Sequence, residues 1–222
     1  FTPTGAALGG TFLFTAFDPV NGVELWKSDG TEVGTVLVKD IRPGNDSFPA
    51  MLTAVNGTVF FVANDGVNGL ELWKSDGTTA GTVLVRNINP AFGPHILELV
   101  AVNDTLFFTA SNGNGIELWK SDGTFDGTVQ VIDLNGLSGG NPRFLTNVNG
   151  TLFFTATDVG GINGLYRSDG TAGGTVFIAA VSNAKDLTAI GTKLFFRAAT
   201  LGVGNQAYVS DGTATGTGVL KS

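Results

Sequence analysis

The sequence predicts an all-β fold, a five-bladed β-propeller with four antiparallel strands per blade, and three observations predict it. Ser-Asp-Gly-Thr begins at Ser28, Ser75, Ser121, Ser168 and Ser210, so the separations are 47, 46, 47 and 42 residues, a period in the propeller range. Each unit parses into four short apolar runs divided by turn signals. Gly supplies 33 of the 222 residues while only 14% are charged, the composition of many short strands joined by tight turns.

Residues 48–88 display the unit in order. PAMLTAV runs to Asn56-Gly57, TVFFVAN follows, and the loop DGVNG leads into LELWKS; the turn DGTTAG then opens TVLVRNI. These runs are β-branched and aromatic, as strands prefer, and Asn-Gly between two of them signals a tight hairpin because both turn residues need positive φ. The longest connections, RPGNDSFP, NPAFGPH and NGLSGGNPR, carry the chain from the outer edge of one blade to the inner edge of the next. Continuous apolar strands such as LFF fit blades covered on both faces. FTPTGAALGGTFLF aligns with FPAMLTAVNGTVFF, which gives one domain over 1–222 with blades at 1–43, 44–90, 91–137, 138–181 and 182–222. Residues 1–10 are expected as the innermost strand of the first blade and Gly34 to Ile41 as its fourth. Closure of the ring then falls to side-chain packing between the first and fifth blades.

The octapeptide ELWKSDGT at 24–31, 71–78 and 117–124 is the most specific feature. Asp29, Asp76, Asp122, Asp169 and Asp211 recur in all five units, including the two that have lost the rest of the motif. Asp accepts from an N–H two residues on and Gly supplies the positive φ, so DGTxxGT reads as a structural turn; a calcium or sugar site repeated in every unit is the competing reading. The aromatic series Trp26, Trp73, Trp119, Tyr166, Tyr208 reads as packing between blades, with a ring of sugar-stacking platforms as its rival. On a strand, Glu24 and Lys27 face opposite sides, which predicts inter-blade pairs of Glu24 with Lys74, Glu71 with Lys120 and Glu117 with Arg167, and Gln206 against Lys27 at closure.

These strings, ELWKSDGTxxGT and NGTLFFTA, resemble the ELWxxDGT repeat proteins, long secreted or surface proteins of bacteria. The resemblance covers all five units and is most specific in the first three; GLYRSDGT and QAYVSDGT depart from it. It implies an extracellular or cell-surface location and a modular architecture within a longer chain or assembly, and it carries no catalytic residues over. The turn between third and fourth strands is also similar in placement to the Asp box of sialidases, but SxDxGxTW is absent, so sialidase chemistry is not implied.

Other chemistries find little footing. Net charge −7 and a pI of about 4.5 oppose a nucleic-acid groove, and no apolar run approaches the length of a membrane helix. Zero Cys removes disulfides and thiolate chemistry. One histidine, His95, and no GxSxG leave no Ser-His-Asp set. The second-to-third strand loops vary, and they share an end with the long connections, where binding is expected. Asp18, Asn64, Asp65, Asn112 and Asp158 there are the candidate ligand residues, with calcium as the one metal their oxygens suggest and no EF-hand spacing to fix it. The expected function is a non-catalytic extracellular module for adhesion, spacing or assembly, its partners other surface proteins or glycans; the alternative is a lectin with several equivalent sites.

Overall fold

A computed structural model describes residues 5–90, 95–200 and 203–220. It consists of five separate four-stranded antiparallel sheets, each with its strands in chain order across the sheet. The first holds β1 (Gly5–Leu8), β2 (Thr11–Asp18), β3 (Gly22–Ser28) and β4 (Val36–Lys39); the second β5 (Ala50–Val55), β6 (Thr58–Asn64), β7 (Leu70–Ser75) and β8 (Val83–Arg86). The third holds β9 (Leu99–Val102), β10 (Thr105–Ser111), β11 (Ile116–Ser121) and β12 (Val129–Ile132); the fourth β13 (Arg143–Val148), β14 (Thr151–Thr157), β15 (Asn163–Ser168) and β16 (Val176–Ala180). The fifth holds β17 (Ser182–Ile190), β18 (Lys193–Thr200), β19 (Gly204–Ser210) and β20 (Gly218–Val219). Strand β1 begins at Gly5; the part of the expected first strand over residues 1–4 lies outside the described residues.

The fold is thus a five-bladed β-propeller array. Its core lies between blades. Phe61 and Trp73 of the second blade pack onto Leu13, Leu25 and Val38 of the first, while Phe60, Leu72 and Val85, facing the other way, pack onto Leu106, Phe108 and Trp119 of the third. The same division recurs between third and fourth blades and between fourth and fifth. A residue pair from the central strands shows the rule. Phe60 and Phe61 are neighbours in sequence and are both buried, because a pleated strand sends them to opposite faces and each face has a blade against it.

The pairing of third and fourth strands slips by one residue in four blades, so that Leu25 pairs with Lys39 and Trp26 with Leu37 while Val38 is left over. This is a β-bulge. The extra residue, Val38, Val85, Val131 or Ile178, is turned into the interface with the following blade and buried there.

Closure does not follow the expectation. Among the described residues the inner strands β1, β5, β9, β13 and β17 pack successively, but β1 and β17 share no comparable contact, and no apolar cluster joins the first blade to the fifth. Phe12 is 51% exposed whereas its counterparts Val59, Leu106, Leu152 and Leu194 are 0% exposed. Among the described residues the blades form four such interfaces, and the first and fifth blades are each packed against one neighbour.

Candidate functional site

Each octapeptide ends in a turn whose every repeated letter has a partner. Asp29 Oδ1 accepts from Thr31 N at 2.9 Å and from Thr31 Oγ1 at 2.7 Å, and Thr31 Oγ1 in turn accepts from Gly34 N. Ser28 Oγ accepts from Gly30 N and pairs with Thr35 Oγ1, which donates to Thr31 O. Gly30 has φ +93°, and a Cβ on Gly34 would collide with the Asp29 carboxylate. The same bonds hold Asp76, Asp122, Asp169 and Asp211. The Thr hydroxyl and then the Thr N–H hold all five carboxyls below the usual aspartate range. The hydroxyls of the motif's Ser and Thr and one oxygen of its carboxylate are therefore engaged within the turn.

The glutamates have a different task from the predicted one. Glu24 is fully buried and accepts from Ile41 N (2.9 Å), Arg42 N (3.4 Å) and Ser47 N (3.1 Å) and from the Ser47 hydroxyl. Glu117 repeats this with Leu134 N and Gly140 N (2.7 Å), and Glu71 with Ile88 N (3.1 Å). The carboxylate is an anchor for the connection leaving its own blade. Burial pushes the carboxyls of Glu24 and Glu117 up, and that of Glu71 up to about 7, against the opposing pull of these donors.

The lysines point forward. Lys27 Nζ donates to Gly77 O at 2.8 Å, on the turn of the following blade, and the charge of Lys74 helps hold down Asp122 as that of Lys120 does Asp169. The inter-blade pairs Glu24–Lys74, Glu71–Lys120 and Glu117–Arg167 consequently do not form. Among the described residues the ion pair present is Arg197–Asp186. The physical reason is register. Neighbouring blades set like positions side by side, so each Lys lies three residues along the strand from the neighbour's Glu, about 10 Å at strand rise, and each finds nearer backbone partners.

Side chains outside the motif tie the blades as well. Lys39 Nζ donates to Thr82 O (2.7 Å); its counterpart Arg86 donates to Thr128 O (2.8 Å) and Phe125 O (3.3 Å), with its guanidinium 4.5 Å from the centre of the Phe125 ring. Glu98 accepts from Phe144 N and Leu145 N of the next blade. These positions carry one signal in the sequence, the recurrence of a cation at the end of the fourth strand, directly before the connection, in VLVKD and VLVRN.

At the opposite end the variable loops do pack beside the connections: Asn87 Nδ2 of one connection donates to Asn68 Oδ1 of a variable loop at 2.8 Å, and Asp46 Oδ1 of another accepts from Val23 N at the start of β3. The candidate ligand residues are occupied by their own loops. Asp18 accepts from Val20 N, Asn21 N and Asn21 Nδ2; Asp65 accepts from Val67 N, Asn68 N and Asn68 Nδ2. The Asn21 amide draws the Asp18 carboxyl down; burial pushes Asp65 up, but its Asn68 and Val67 donors outweigh that and leave it lowered. Asn64 accepts from Gly66 N, Asn112 from Asn114 N and Asp158 from Gly160 N and Ile162 N. The structure brings no two of these five into contact through an observed bond, and among the described residues no three His, Asp or Glu side chains cluster as a metal site would require. Trp73, Trp119 and Tyr166 are buried between blades, so those rings pack and offer no stacking platform.

No family model and no curated protein matches the chain. Solved structures do. A puromycin hydrolase mutant is similar with TM-score 0.60 and 17% identity, over 98% of this chain and 37% of that one. TolB from Acinetobacter baumannii is similar with TM-score 0.54 and 12% identity, over 98% and 53%. The computationally designed Ika8 protein is similar with TM-score 0.55 and 18% identity, over 99% and 60%. At such identities the likeness bears on the fold alone, and it is a propeller fold. The chain spans between 37% and 60% of the length of these proteins. Among the described residues no helix is long and apolar enough to cross a membrane.

Proposed function

We propose that the chain is a non-catalytic propeller module of a bacterial surface or secreted protein, serving spacing and assembly. One observation carries this reading: the repeated polar residues are consumed by the scaffold. Asp, Ser and Thr close the turn, Glu fastens the connection, and Lys27 grips the next turn's carbonyl. Residues that serve a ligand converge on a shared cleft; these are distributed one set per blade, and their bonds run within the turn, to the blade's own connection or to the adjoining blade. The similarity of the octapeptide to the ELWxxDGT proteins supports the extracellular setting. A glycan array probed with and without calcium, together with protease accessibility of the protein on intact cells, tests the proposal. The expected result is cell-surface accessibility without saturable glycan binding. Saturable, calcium-dependent sugar binding lost on replacing Asp18 or Asp65 would establish the lectin instead.

A further inference from the structure

A chain of side chains runs from the variable loop of the second blade toward the buried Glu71. Asp65 Oδ2 accepts from Asn68 Nδ2 at 2.6 Å, and Asn68 Oδ1 accepts from Asn87 Nδ2 at 2.8 Å. The donors on Asp65 favour its ionised, acceptor-only form, which turns the Asn68 amide with its oxygen outward. Asn87 must then offer its nitrogen to Asn68 and aim its own oxygen away. That oxygen, Asn87 Oδ1, is buried without a partner, and so is Glu71 Oε1. Register brings the two residues together. Leu72 pairs with Arg86, so the next pair along is Glu71 with Asn87, as Gly164 pairs with Ala180 in the fourth blade; opposed side chains of this kind stand about 5 Å apart at Cβ. In the first and third blades Asp40 and Asp133 hold the position of Asn87, and their charges act on Glu24 and Glu117. Glu71 also lacks a donor that its counterparts have. Ser47 N bonds Glu24 and Gly140 N bonds Glu117, whereas residue 94, which aligns with them, is Pro and carries no N–H. The Asn89 N–H pulls on the carboxyl without closing a bond to Oε1.

We propose that Glu71 is protonated and donates from Oε1 to Asn87 Oδ1, so that one proton completes the chain from connection to variable loop and acts as a pH-operated latch on residues 65–69. A single hydrogen satisfies both otherwise unpaired oxygens, and burial, which pushes the carboxyl up to about 7, keeps it in place below neutral pH. Ionised Glu71 is acceptor-only and sets a charged oxygen against Asn87 Oδ1. If the amide turns over to give Glu71 its N–H, its oxygen meets Asn68 Oδ1 and that bond is lost instead. Either response frees the loop from the connection. Val67 at the loop tip is 87% exposed, and with Asn68 and Leu70 it borders a recess of about 610 Å³ shared with His95 and Ile96, so the proton governs a surface at the end where partners are expected. Asp40 and Asp133 have no N–H to pass on, which confines the device to the second blade among the first three. The charged and titratable groups around Glu71 are Asp65, whose charge acts on it, Arg42, which lies against Gly66, and His95 on the recess; β6 opposes it with Ala63. The latch goes beyond the spacing and assembly reading and does not depend on it.

An NMR titration of the chain from about pH 5 to about pH 9 tests it, following the Glu71 carboxyl carbon, the side-chain amides of Asn68 and Asn87, and the backbone N–H groups of Val67 and Asn68. All of these signals are expected to shift together with one midpoint near 7. Glu71→Gln, whose amide N–H donates where the acid does, should hold the asparagine and loop signals at their low-pH positions throughout. Asn87→Ala should leave Glu71 titrating while the loop signals stay flat, and His95→Asn should leave the wild-type shifts in place. A Glu71 carboxyl that titrates while the Asn87 amide stays fixed overturns the proposal. So do loop shifts that survive in either the Glu71 or the Asn87 variant, or that vanish with His95. Should Glu71→Gln lose its cooperative melt, the Asn87 and His95 variants decide between these outcomes.

Discussion

The carboxyl of Glu71 titrates near 7 because burial disfavours its charge more than the Ile88 and Asn89 N–H donors favour it. The raised value makes the neutral form the stabilising one. Its contribution is fully present below the ordinary glutamate value of about 4.3 and is lost as pH rises through about 7. Stability should therefore fall between about pH 4.3 and about pH 7, on the order of 1–2 kcal/mol after discounting for solvent screening. Glu71→Gln should flatten that slope in urea midpoints measured across the range; an unchanged slope would place the titration elsewhere. The turn aspartates act in the opposite sense. Their lowered carboxyls stabilise above the ordinary aspartate value and lose that contribution as pH falls through their own, lower values, which confines their effect to acid. Asp122→Ala strands the Thr124 N–H and hydroxyl, and its thermal midpoint should drop by roughly 2–4 °C. At this scale the turn was readable in the sequence because Asp, Gly and Thr act within a few residues of one another. The glutamate was not, because its donors lie 17 and 23 residues downstream, and a charge beside LWK invites the nearest opposite charge as its partner.

At the scale of the element, the connections decide where the motif keeps its glutamate. Glu24, Glu71 and Glu117 stand in blades followed by long connections over residues 40–49, 87–98 and 133–142. Gly164 replaces the glutamate in the fourth blade, where Val181 alone separates β16 from β17 and its N–H bonds Asn163 O directly. The Phe177 ring occupies the space a side chain at Gly164 would need, edge-on to Tyr166. A short connection leaves no loose N–H groups, so no carboxylate is needed. Strand number and order were legible because apolar runs and Asn-Gly or DGT turns alternate without ambiguity. The bulge was not legible, since one unpaired Val within VLVK is indistinguishable by composition from a paired one. Contact between fourth strands and the next turn yields a prediction at this scale. Arg86 grips the turn carrying Phe125, and a double-mutant cycle of Arg86→Ala with Phe125→Ala should give a coupling of about 0.5–1 kcal/mol. Additive effects would mean that the guanidinium serves the carbonyls alone.

For the whole molecule, stability should grade along the array. When units contact only their neighbours, the total is approximately a sum of unit and interface terms, and a terminal unit has one interface where an internal unit has two. The third blade is covered on both sides, with Phe107, Phe108, Leu118 and Trp119 all at 6% exposure or less. The first blade is covered on one, and its Phe12 and Phe14 face outward. Local opening follows burial of this kind, so amide protons of β10 and β11 should exchange with the slowest rates and those of β2, β3, β18 and β19 with faster ones. Hydrogen exchange read by mass spectrometry checks this. Equal protection of the first, third and fifth blades would mean that the first and fifth are covered as fully as the third. The charged letters of the octapeptide would still have the same work in that case, because Lys27 holds the turn ahead of it and each Glu the connection of its own blade.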